Sequence, residues 1–139
     1  MKISLKRINK AVHLEASNED GNKVQIDGAP QIGGENLGVR PMQLLLMGLG
    51  GCSSMDILNI LSKQKVELDD FTIDVDAERD TENTPSLFST IHVTFNFQGK
   101  KLNQKKIERA VALSMEKYCS VTKILEKSAT ITYEIATEE

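Results

Sequence analysis

Aromatic side chains are scarce in this chain: two Tyr, four Phe and no Trp, 4 % of the sequence. That scarcity argues against a stacking platform for single-stranded nucleic acid, which needs several aromatic faces. An excess of positive charge is also lacking. Seventeen Lys and Arg stand against 20 Asp and Glu, a formal charge of −3, so no nucleic-acid partner and no anionic-membrane partner is expected. Metal motifs are missing too, with no C-x-x-C and no H-E-x-x-H, while His13 and His92 fall on different strands. Both histidines read as ordinary strand residues. The glycine-rich stretch Gly33-Gly34-Glu35-Asn36-Leu37-Gly38 fits neither a P-loop nor a dinucleotide fingerprint. No metal and no cofactor are expected.

The opening Met1-Lys2-Ile3-Ser4-Leu5-Lys6-Arg7 breaks its apolar residues with charges and lacks the apolar core of a signal peptide. The stretch from Met42 to Leu61 comes nearest to a membrane span, but Gly48, Gly50, Gly51, Ser53, Ser54, Asp56 and Asn59 argue against one. A soluble cytoplasmic protein is expected. In that compartment Cys52 and Cys119 are reduced at rest, and a disulfide between them is transient.

What is present is a globular composition. With 139 residues and 40 % apolar content the chain reads as one domain, 1–139, without linker or repeat. Ile3 and Leu5, then Val12, Leu14 and Ala16, then Val24 and Ile26 alternate with polar neighbours, the pattern of a three-stranded meander. Residues 28–38 are a loop by composition. Pro41 suits the first position of a helix running to about Lys63 and apolar almost all round. At roughly 33 Å, that helix is longer than one small domain needs to cover its sheet.

Phe71, Ile73, Val75 and Ala77 predict a fourth strand, and Ile91, Val93, Phe95 and Phe97 a fifth. An amphipathic helix over Asn103–Tyr118 presents Ile107, Ala110, Val111, Ser114 and Tyr118 on one face. A short helix, Ser120 to Lys127, turns Val121, Ile124 and Leu125 inward, and Ala129, Ile131, Tyr133 and Ile135 close the chain as a strand. The order βββ-α-ββ-αα-β is an α+β fold. A sheet of about six short strands cannot bury every face of the long helix, so a second subunit is expected to supply the rest.

The thiols carry the chemistry. Cys52 follows Gly48, Gly50 and Gly51 inside a helix, where each glycine costs about 1 kcal/mol relative to Ala; close approach of backbone or ligand is the natural reason. Cys119 precedes the short helix, whose free N–H groups favour a thiolate. A plain packing role, as two small buried hydrophobes, is the other reading of the pair.

The run Arg40-Pro41-Met42-Gln43-Leu44-Leu45-Leu46-Met47-Gly48-Leu49-Gly50-Gly51-Cys52-Ser53, together with Lys117-Tyr118-Cys119-Ser120-Val121, resembles the OsmC/Ohr family of thiol-dependent peroxidases, and within it the YhfA-like branch. The resemblance covers nearly the whole chain. It implies an OsmC-like fold whose long central helix is buried in an intertwined homodimer, with active sites at the interface. It also implies a peroxidatic Cys52, a resolving Cys119, an organic hydroperoxide as substrate and a dithiol reductant of the dihydrolipoyl kind. The family activates its first cysteine with an Arg held by a Glu ten residues before that cysteine; here the position is Met42, with Gln43 beside it. Of Arg7 and Arg40, the arginines of the N-terminal half, Arg40 is better placed. Twelve residues are about 18 Å along a helix, so an Arg40 serving Cys52 belongs to the partner chain. A surface role for Arg40 is the alternative. Arg79 and Glu116 are further candidates, read first as surface or strand-end ion-pair partners.

Three functions follow from different classes. One is a hydroperoxide reductase cycling Cys52 and Cys119, slowed by Met42. The second is a non-enzymatic dimer holding an apolar ligand. The third is a thiol redox sensor.

Overall fold

The computed structural model describes all residues, Met1–Glu139, as two compact units, Met1–Leu46 and Met47–Glu139. The expected element order is observed throughout.

In the first unit, β1 (Ile3–Arg7), β2 (Leu14–Asn18) and β3 (Lys23–Ile26) form an antiparallel meander, with Leu5 opposite Ala16 and Ala16 opposite Val24. The loop behind β3 is organised by one buried carboxylate. Asp27 accepts from the backbone N–H of Gly28 at 2.8 Å, Glu35 at 2.9 Å and Leu37 at 3.1 Å. The loop closes so tightly that a Cβ on Gly34 would overlap the Gly28 carbonyl. The N–H bonds from Glu35 and Leu37 hold the Asp27 carboxyl below the ordinary carboxylate range, against the opposing effect of burial.

Helix α1 (Pro41–Lys63) starts in the first unit and continues into the second. Pro41 takes its first position, and Gln43 Oε1 reaches back to accept from the Arg40 N–H at 3.0 Å, half of a capping box. By length and composition α1 is apolar enough to cross a membrane. Leu49, Ile57 and Leu61 are buried, whereas Leu45, Met47, Met55 and Leu58 are exposed, Met55 to 70 %. The helix is apolar all round, as its sequence predicts, and a single chain covers only part of it.

The second unit holds a separate three-stranded sheet rather than an extension of one six-stranded sheet. Strand β4 (Asp70–Arg79) pairs antiparallel with β5 (Phe88–Gln98), which pairs in parallel with β6 (Thr130–Glu138). Phe88, Ile91, Val93, Phe95 and Phe97 bury one face of β5. Phe71 packs on Phe97 with ring centroids 5.1 Å apart, and a Cβ built at Gly50 of α1 would sit 3.6 Å from Val75 of β4. The connection from β5 to β6 carries α2 (Gln104–Leu113), capped by the Asn103 side chain on the Lys106 N–H, and α3 (Ser120–Leu125).

Between these two helices the chain departs from the expected pattern. The helix predicted to Tyr118 stops being α-helical at Leu113, and Ser114–Tyr118 forms a π-helical turn. The wider turn shifts the side chains that follow it. Met115 and Cys119 are buried, and Tyr118, expected inward, is 51 % exposed. In α3 the buried residue is Thr122, while Ile124, also expected inward, is 67 % exposed.

Candidate functional site

The two cysteines meet although 67 positions separate them. Cys52 comes from the middle of α1 and is half-buried; Cys119 is the fully buried residue that caps α3. Both are free thiols. Their sulfurs and a carboxylate oxygen of Asp56 all lie within 4.8 Å of one another. A disulfide needs sulfurs about 2.05 Å apart, so closure takes a rotamer change or a small shift of one segment.

The π turn makes this meeting possible. The Cys119 N–H donates to the Ser114 carbonyl across five residues at 2.8 Å, which turns the thiol back toward α1. Cys119 Sγ accepts from the Thr122 N–H at 3.5 Å. Burial pushes the Cys119 thiol above its ordinary range; the Thr122 bond opposes this, and neighbouring Cys52 adds to the rise. The helix start therefore does not favour a thiolate on balance, contrary to the expectation from sequence. Loss of water outweighs the hydrogen bonding that the Thr122 side chain and backbone offer the sulfur.

Asp56 is the residue sequence reading passed over. Four positions after Cys52, it lies on the same helix face, a spacing that could have flagged it. Ser114, fully buried on the π turn, directs its hydroxyl at both Asp56 Oδ2 (3.2 Å) and the Ser53 carbonyl (3.1 Å), and its single proton serves one at a time. Ser53 and Ser54 turn their own hydroxyls back onto the helix carbonyls of Leu49 and Gly50, at 2.8 and 2.6 Å. No buried side-chain oxygen or nitrogen around Cys52 is left without a hydrogen-bond partner.

The glycines before Cys52 divide in two. Gly50 lies against β4, but a Cβ on Gly48 or Gly51 would meet nothing within 4 Å. Within one chain these two positions border open space.

Most of the other candidates have local partners. Arg40 stands just before α1 with its guanidinium 3.4 Å from the Gly38 carbonyl. Arg7 is exposed on β1. Arg79 donates twice to the Ser86 carbonyl, at 3.1 and 2.9 Å, closing the turn between β4 and β5 in place of the expected ion pair. Glu116 lies on the π turn near Tyr133, whose phenol is pushed up by burial and then by that carboxylate. His13, expected on a strand, lies just before β2 and bonds Gln25 at 2.8 Å, whereas His92 is on β5 as expected and contacts Thr132 and Glu134.

Residues 33–134 match the family model described as OsmC-like protein. This chain is a member of the OsmC-like family. The OsmC-like chain is 42 % identical to Protein YhfA of Escherichia coli K12 over 93 residues, 67 % of this chain and 69 % of that one. Its fold is similar to a crystal structure of a hypothetical protein from Aquifex aeolicus, with 31 % identity and a TM-score of 0.80 over 99 % of this chain and 97 % of the other. An organic hydroperoxide resistance protein OsmC from Legionella pneumophila shares the fold at 21 % identity and a TM-score of 0.67, over 98 % and 97 % of the two chains. An OsmC-like protein with two adjacent thiols has the composition of a redox site.

Proposed function

We propose that this protein is a thiol-dependent peroxidase that reduces organic hydroperoxides in the cytoplasm, with Cys52 as peroxidatic and Cys119 as resolving residue. The observation that carries this reading is the convergence of the two sulfurs, one half-exposed and one buried, within 4.8 Å. The Cys52 thiolate attacks the distal peroxide oxygen. The O–O bond breaks, the alcohol leaves after taking a proton, and Cys52 becomes a sulfenic acid. Cys119 attacks that sulfur, the S–O bond breaks, and water leaves as the disulfide forms. An external dithiol, of the dihydrolipoyl kind that the family resemblance suggests, takes the disulfide back to two thiols and is itself oxidised.

The working unit in this proposal is a homodimer. Exposed Leu45, Met47, Met55 and Leu58 on α1 form the face a second subunit would cover, and Gly48 and Gly51 leave room for its approach. Arg40 of the partner subunit is the proposed activating cation for Cys52. Met42 offers no carboxylate to hold that guanidinium, so turnover is slow.

The test is stopped-flow consumption of cumene hydroperoxide by the reduced protein with a saturating dithiol. Slow turnover abolished by Cys52→Ser is expected, with Cys119→Ser accumulating a sulfenic acid that dimedone traps. No consumption by the wild type would end the peroxidase reading in favour of a non-enzymatic binding dimer.

A further inference from the structure

Two thiols and a carboxylate within 4.8 Å of one another make a donor set as well as a redox pair. We infer that Cys52, Cys119 and Asp56 of the reduced protein form a binding site for a thiophilic divalent cation of the zinc type. Thiolate ligands select such ions over magnesium or calcium, which prefer all-oxygen shells.

The geometry is close to what the ion needs. Zinc takes sulfur at about 2.3 Å and carboxylate oxygen at about 2.0–2.2 Å; tetrahedral angles then place two sulfurs about 3.8 Å apart. Sulfurs no more than 4.8 Å apart are within a small side-chain adjustment of that value. Cys52 and Asp56 are one helical turn apart on α1, and the third ligand is delivered by the π turn. The Ser114 hydroxyl is within hydrogen-bond distance of Asp56 Oδ2, the kind of support that metal-ligating carboxylates commonly have.

Charge points the same way. None of the protomer's salt bridges includes Asp56, so its charge beside the sulfurs has no cationic partner within the chain. Binding replaces one proton on each thiol with one bond to the ion, releases two protons and moves no electron. Three protein ligands leave a fourth position at the half-exposed Cys52 side, the pattern of an exchangeable site rather than a closed structural one. While the ion is bound, neither sulfur is free to form a disulfide, so it holds the pair reduced. Ion binding is independent of whether the pair turns over peroxide.

The experiment is an anaerobic titration of the reduced full-length protein with Co2+, read as near-ultraviolet sulfur-to-cobalt charge transfer, followed by displacement with Zn2+. One ion per chain is expected, lost on conversion to the Cys52–Cys119 disulfide and in Cys52→Ser. Asp56→Asn should weaken binding by at least about tenfold while its melting curve shows the fold intact. Absence of the band in the reduced wild type at millimolar cobalt overturns the site. Equal affinity in Asp56→Asn reduces it to a bare dithiol, and equal binding by the disulfide form assigns the ion to surface carboxylates; each overturns the three-ligand site. Because no readout involves a hydroperoxide, failure here is distinguishable from failure of the peroxidase reading.

Discussion

The Ser114 hydroxyl lies 3.2 Å from Asp56 Oδ2, joining the π turn to the face of α1 that carries Cys52. Through it the segment that ends in Cys119 is tied to the helix that holds the other thiol.

Ser114→Ala removes this tie at a fully buried position. It leaves the Asp56 carboxylate and the Ser53 carbonyl without their shared donor, a loss of about 1–3 kcal/mol. Urea unfolding measures that loss. The same variant should form the Cys52–Cys119 disulfide more slowly in a thiol-counting assay, because the turn is held less firmly. Unchanged stability and unchanged rate would mean that the bond is incidental.

Met42→Glu should raise the hydroperoxide rate. A carboxylate there would give the proposed activating Arg40 of the partner subunit an ion-paired hold, and a loosely placed activating group can cost about 100-fold. Hydroperoxide loss is compared between wild type and variant at saturating dithiol. A wild type already as fast as a dedicated peroxidase would contradict the role given to Met42.

Gly51→Ala distinguishes a lone chain from the proposed dimer. In one chain the added methyl meets open space, so helix propensity alone predicts a gain of about 1 kcal/mol. Close approach by a second subunit reverses the sign. A variant that melts lower and dissociates on dilution supports the interface; one that is simply more stable removes it.

Met55→Glu addresses the same face from its most exposed apolar side chain on α1, at 70 %. Sedimentation of the wild type at micromolar concentration should show twice 15.4 kDa, and the variant should move toward the single-chain mass. A wild-type monomer contradicts the dimer outright.

Acid should loosen the loop behind β3. The folded Asp27 carboxyl is held below the unfolded value of about 3.9 by the N–H groups of Glu35, Leu37 and Gly28. Its stabilisation is therefore complete above that value and is lost as pH falls through the lower, folded one. Asp27→Asn carries no titratable charge and keeps one accepting oxygen, so it retains either the Gly28 bond or the Glu35 and Leu37 bonds and starts from a lower stability. Thermal melts between about pH 6 and about pH 3 should fall less steeply for the variant, and parallel curves would remove Asp27 from the acid response.

Alternating residues such as Phe71, Ile73 and Val75, or Ile91, Val93 and Phe95, determined by themselves which strands form and which faces turn inward, because strand geometry repeats every two residues. The unbroken apolar run of α1, Pro41 at its start and the surroundings of both thiols were equally legible, being local features. The faces after Leu113 were not. An α-helical period carried through Ser114–Tyr118 points Tyr118 inward, and one π turn, a choice made by packing, places Met115 and Cys119 there instead. The organising role of Asp27 was hidden too, since its donors come from a loop without periodicity. Asp56 beside Cys52 was in the spacing of one helix turn, but its approach to Cys119 was decided only by the parallel crossover from β5 to β6, which carries a distant helix cap onto α1. Local chemistry reads along the chain; contact between residues 56 and 119 depends on how separate elements pack.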